Sequence, residues 1–157
     1  RAARCCELPA SMRNPQNVEG AQLKPDPAYS AEASVKVQLD ALRNNNAPYP
    51  DHGIHTLYEF CAGAGGMELS RYFSGKSSSL YHLDHFMGKM AEFPHLPGLE
   101  GYKILSVEDG ERAVVTARIM PARRANVAEA TYEFALVRKQ FGRRKGAWVV
   151  DVVKVLE

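Results

Sequence analysis

Between Ser30 and Arg43, the residues Val35, Leu39 and Leu42 recur at spacings of four and three, while Lys36, Asp40 and Arg43 fall off that stripe. This is the periodicity of a helix that buries one face, and Ser30 supplies a favourable N-cap. The run predicts a helix over 30–44, ended by Asn44-Asn45-Asn46 and then by Pro48 and Pro50. Asp51 is placed to cap a second, shorter helix over 53–61, in which Ile54, Leu57, Tyr58 and Cys61 share a face. Gly63, Gly65 and Gly66 end it. After a loop with Gly75 and Ser77-Ser78-Ser79, Leu80, Leu83, Met87 and Met90 are spaced three, four and three, with Phe86 beside them. They predict a third helix over 79–92, stopped by Pro94 and Pro97.

Past Gly98 the period shortens to two. Segments 101–108 and 111–121 flank Asp109-Gly110, a strong hairpin signal. A strand over 128–141 sets Tyr132, Phe134 and Leu136 on one face and Glu133 and Lys139 on the other. Gly142 to Gly146 turns the chain into a closing strand over 146–156. Helices first and an antiparallel meander second predict an α+β fold, with the helices packed on one face of a curved antiparallel four-stranded sheet.

Residues 1–29 follow neither period and carry Pro9, Pro15, Pro25 and Pro27 together with Asn14, Asn17 and Gly20. The expected division is an extended N-terminal arm over 1–29 and an α+β domain over 30–157. Ordering a backbone residue costs about 1–2 kcal/mol, and the arm offers only Leu8, Met12, Val18, Leu23 and Tyr29 as apolar anchors. These are the candidate partner-binding residues, and the arm is expected to lie mainly on another protein.

The helix Val35-Lys-Val-Gln-Leu-Asp-Ala-Leu-Arg-Asn-Asn and the segment Pro50-Asp-His-Gly-Ile-His-Thr-Leu-Tyr-Glu-Phe resemble a nuclear transport factor 2-like, cone-fold family of bacteria and photosynthetic eukaryotes. That family is known as a domain of unknown function. The hairpin Asp109-Gly-Glu-Arg-Ala-Val-Val-Thr-Ala-Arg and the closing Gly146-Ala-Trp-Val-Val-Asp-Val-Val fit the same picture. The resemblance covers about 28–157, and its most specific part is the junction between the first two helices. It implies a cone in which helices and sheet enclose an apolar pocket. It carries over no catalytic residue, and the Gly-rich run from Cys61 to Met67 departs from the family's more polar loop. The lineage implies a chloroplast protein and a photosynthetic assembly.

Composition narrows the classes. The chain has 157 residues, 45% hydrophobic and 24% charged, which suits one globular domain. A net charge of +2 argues against bulk nucleic acid as a partner. Cys5, Cys6 and Cys61 make a poor disulfide framework and point to a reducing compartment. The apolar run from Trp148 to Leu156 is interrupted by Asp151 and Lys154, so an integral membrane protein is not expected, though a position peripheral to a membrane complex is compatible. The opening Arg1-Ala2-Ala3-Arg4 lacks acids, as the remnant of an imported precursor would. The expected compartment is the chloroplast, with the mitochondrion as the alternative.

Four constellations could carry chemistry. The glycines after Cys61 lack the Lys-Ser/Thr of a phosphate loop, and they read as a helix terminator. His82 and His85, with Asp84 between them, could share a helix face and bind a metal if Cys61 converged; otherwise they are surface histidines. His52 and His55 repeat that spacing upstream. Cone-fold enzymes of the ketosteroid isomerase-like and polyketide cyclase-like kinds place an acid or base in the pocket, for which Asp151, Tyr132 and His85 are the candidates here. Strand parity sets Asp151 with Val149, Val153 and Val155, opposite Trp148, Val150 and Val152. Both faces are apolar, so parity does not aim the carboxylate; the plainer alternative is an outer-face pair with Arg118 or Arg138. The cations in 121–127 and 138–145 suggest nucleic acid or anionic lipid, but they sit at opposite ends of a long strand and read as solvated loops. The expectation is a non-catalytic accessory subunit without a cofactor, docking on a larger organellar assembly through its arm and domain surface. The alternative is a small-molecule-binding or isomerase-like enzyme using the pocket.

Overall fold

The computed structural model describes residues 21–62, 83 and 86–156. Helix α1 (Ala31–Arg43) starts at Ser30, whose Oγ accepts the backbone N–H of Ala33 at 3.1 Å. The predicted stripe is buried: Val35, Leu39 and Leu42 are fully inaccessible, and so are Ser34 and Gln38 beside them. Helix α2 (His52–Glu59) follows and buries Ile54 and Leu57 against the same core.

The start of α2 differs from expectation. Asp51 occupies the cap position with φ of 60°, yet its side chain makes no capping bond. Asn45, just beyond the end of α1, supplies it instead: its Oδ1 accepts from Ile54 N at 3.1 Å, and its carbonyl accepts from Gly53 N at 3.0 Å. Asp51 is recruited as a brace, accepting from Asn45 Nδ2 at 3.0 Å. Two helices that cross this closely require Gly53, since a Cβ there would meet Ala41 O and lie 2.8 Å from Asn45 Oδ1.

Residues 86–89 are helical and lead into a 3-10 turn at Met90–Glu92, matching the end of the predicted third helix. Of the rest of that helix only Leu83 is described, and it is helical; His82 and His85 lie outside the described residues, as do the glycines at 63, 65 and 66 and the arm residues Leu8, Met12 and Val18.

Strands β1 (Gly101–Glu108), β2 (Arg112–Met120), β3 (Ala130–Arg138) and β4 (Trp148–Leu156) form one antiparallel sheet in sequence order. Alternation along β2 buries Ala113, Val115, Ala117 and Ile119, and along β3 it buries Tyr132, Phe134 and Leu136. These residues join Trp148, Val150 and the α1 stripe in one core, with the helices on a single face of the sheet. The fold is α+β, as the order of periods predicts. β3 stops at Arg138 rather than 141, and residues 139–147 form a bonded turn.

Both outer strands carry a bulge. Leu105 is the extra residue between Ile104 and Ser106 where β1 pairs with β2, and Asp151 is the extra residue between Val150 and Val152 where β4 pairs with β3. A bulge adds local right-handed twist and bends its strand. At the outer edge of β4, Val150 N donates to Phe60 O at 2.7 Å and Val150 O accepts from Ala62 N at 2.8 Å. The chain leaving α2 therefore pairs briefly with the last strand.

Residues 21–29, expected to belong wholly to the arm, rest on the domain instead. Ala21 and Pro25 are buried, Gln22 N donates to His52 Nε2 at 3.1 Å, and Arg144 Nη1 donates to Pro25 O at 3.2 Å. This strap leaves Leu23 46% exposed and Tyr29 half-buried.

Candidate functional site

Where the helices stand away from the sheet, a cavity of about 50 Å³ remains, walled by Gln38, Leu57, Cys61, Phe86, Phe93 and Val153 among others. It arises because α2 and the 86–96 segment meet β4 just beyond its bulge, where Val153 turns inward opposite Phe134. The volume is well below the roughly 150 Å³ that accommodates a benzene in a dry core. Its walls suit an apolar group of a few heavy atoms.

Cys61 cannot act there as a nucleophile near neutral pH. Burial pushes its thiol up to about 12, and its Sγ lies 3.4 Å from Leu57 O as a weak donor. Nor is it joined by other metal ligands: among the described residues no group of three His, Cys, Asp or Glu side chains could hold a metal ion.

Tyr132 stands beside the cavity, its ring 6.2 Å from that of Phe93. Its hydroxyl lies 2.7 Å from His95 Nδ1, and burial raises it to about 12 although a bond from the His95 backbone opposes the shift. A phenol held in that form keeps its proton near neutral pH and is not a base there. The imidazole tautomer sets the direction of the bond, the hydroxyl donating to a bare Nδ1 or accepting from a protonated one. His95 has no periodic signal in the sequence, since it lies between Pro94 and Pro97; only the fold brings it to Tyr132.

Asp151 is elsewhere. As the bulged residue it faces the outer side of the sheet, exposed, and pairs with Arg112 of β2. The partner is neither Arg118, which binds Glu129 at 2.8 Å, nor Arg138, whose guanidinium stacks 4.3 Å from the Trp148 ring. Neither candidate lines the cavity: Tyr132 packs behind its Phe93 wall, and Asp151 lies on the outer face of the sheet.

A second polar cluster lies along α2. Tyr49 Oη is 2.8 Å from His55 Nδ1, and His55 Nε2 is 3.7 Å from Glu59. That imidazole contact lowers Glu59 below the usual carboxylate range despite burial, with Lys24 and Arg144 adding to the shift. His52 is also lowered, chiefly by burial and then by His55, so its Nε2 lone pair stays free to accept Gln22 N. The cluster organises charge around the strap; its residues are bonded to one another and not around a cavity.

No protein-family model matches the chain, and no curated protein or solved structure matches it either.

Proposed function

We propose that this domain is a non-catalytic accessory subunit of the nuclear transport factor 2-like cone type. It docks on a larger protein assembly of the chloroplast, the mitochondrion being the alternative compartment. The observation that carries the reading is the strap. It is tied down through backbone atoms, Gln22 N and Pro25 O, while the apolar side chain of Leu23 stands 46% exposed. A segment fixed in this way presents side chains to a partner at little further ordering cost. Leu8, Met12, Val18 and Tyr29 are the other candidate contacts.

Because the strap belongs to the domain, the test removes residues 1–20 and leaves 21–157 intact. The shortened chain should unfold at the same denaturant concentration as the full chain and lose co-migration with a high-mass complex on native gels of organelle extract. Leu23→Ser should weaken co-migration within the full chain. Undiminished assembly of both variants would sink the docking role.

A second reading, a small-molecule-binding or isomerase-like enzyme, draws on the Tyr132–His95 pair beside the cavity. It predicts turnover of a small apolar carbonyl compound that Tyr132→Phe abolishes and Asp151→Asn leaves intact. The accessory-subunit reading expects no turnover from any of these proteins.

A further inference from the structure

The turn between β3 and β4 ends in the most exposed large apolar side chain among the described residues, Phe141, 77% accessible. Along the turn itself the charge is of one sign. Lys139, Arg143 and Lys145 flank it, and no acidic residue occurs between Glu133 and Asp151. The strap adds Lys24 at the same end of the molecule, because Arg144 reaches Pro25 O and Glu59 feels both Lys24 and Arg144. The carboxylates nearby, Glu59 on α2 beside His55 and Asp26 on the strap, lie outside the turn itself.

The tip is also built to hold its shape. Lys139 N donates to Ala147 O and Gly146 N to Lys139 O, both at 2.8 Å, and Lys145 N donates to Gly142 O at 3.2 Å. Gly142 and Gly146 take φ of 83° and 88°, a backbone that side-chain-bearing residues resist. Arg138 braces the base, donating to Gly146 O at 2.7 Å while stacked on Trp148. The phenyl ring is therefore presented outward by a bonded scaffold.

We propose that this tip is a docking point for an anionic lipid surface, with Phe141 entering the headgroup region and Lys139, Arg143, Lys145 and Lys24 meeting the lipid charge. An apolar wedge ringed by cations combines the two attractions of interfacial anchors, burial of apolar area and electrostatic pull toward acidic lipid. A nucleic acid fits less well: a single-strand site stacks successive bases on several aromatics in a groove, and this tip has one ring on a convex turn. Each cation near such a surface raises partitioning about fivefold. The attachment is weak and reversible, and separate from docking through the arm.

The test is sedimentation of the full chain with phosphatidylcholine vesicles, with and without about a third phosphatidylserine. Binding should require the anionic lipid and fall steeply at high salt. Phe141→Ser should reduce it about fivefold, and Arg143→Ala with Lys145→Ala more than tenfold. The unfolding midpoints of these variants should match the unaltered chain, since the side chains are exposed. Equal binding to neutral vesicles, no binding, or binding unaffected by the tip variants would overturn the proposal. So would a single-stranded oligonucleotide or an acidic peptide that binds more tightly than the vesicles and loses affinity with the same variants. Removal of residues 1–20 should leave vesicle binding intact, which separates this surface from the arm.

Discussion

Asn45 Oδ1 accepts the backbone N–H of Ile54 at 3.1 Å, so a buried residue just past the end of α1 closes the beginning of α2. The same amide donates to Asp51, which holds the intervening loop. Asn45→Ala should remove both bonds and leave the Ile54 donor unpaired in a buried place. The expected loss is about 2 kcal/mol, read as a lower urea midpoint with an unchanged slope. Asn45→Ser, which keeps an oxygen at the cap position, should recover part of it.

Gly53→Ala pits helix propensity against space. Alanine favours an exposed helical site by about 1 kcal/mol over glycine, so propensity alone predicts stabilisation. The new methyl, however, would press on Ala41 O and on Asn45 Oδ1, 2.8 Å away. Overpacking against backbone should win, giving a net destabilisation of about 2 kcal/mol. A rise in the melting temperature would show that α1 and α2 yield to the added methyl.

The strap should loosen in mild acid. His52 is held below its ordinary 6.5, first by burial and then by His55, while a backbone bond to Ala47 opposes the shift. A depressed imidazole favours the neutral fold, so its contribution is complete above 6.5 and is lost as pH falls through the folded value. Protonation also removes the lone pair that accepts Gln22 N. The protection of the Gln22 amide, taken relative to the intrinsic exchange rate at each pH, should fall between neutral pH and about pH 5 more than that of the β2–β3 ladder. His52→Gln should flatten that dependence; unchanged dependence would assign it to another group.

At the alkaline end, Tyr102 and Tyr132 should ionise last. Burial raises both hydroxyls to about 12, and Tyr102 is raised further by the Asp40 carboxylate that it donates to at 2.9 Å. A raised phenol contributes stability that is present below 10 and drains away as pH climbs through 12. Phenolate absorbance should therefore develop in two stages. Asp40→Asn should move the Tyr102 step downward and leave Tyr132 in place.

Much of the architecture is legible in the chain because it rests on local period. The Val35, Leu39, Leu42 stripe and the Tyr132, Phe134, Leu136 alternation each specify an element and its buried face. Asp151 shows where that logic stops. Parity along β4 assumes an unbroken ladder, but the bulge falls on Asp151 itself, so Trp148 and Val150 face inward before it and Val153 after it. No composition signal marks that extra residue in a run of valines. Asn45 and His95 were missed for a related reason: each acts on a partner that only tertiary packing supplies. The strap carries no such signal, because burial of Ala21 and Pro25, together with two backbone bonds, ties it without any large apolar anchor.

The paired bulges bear on how copies of this chain meet. An open sheet has two rims of unsatisfied N–H and C=O groups, and a flat rim invites a neighbouring molecule to add its own strand, the first step toward fibres. Here Leu105 breaks the repeat in the middle of one rim, and on the other the Phe60–Ala62 segment already occupies the backbone of Val150. Neither rim offers a long, regular template. Both interruptions work against strand-to-strand addition along the rims.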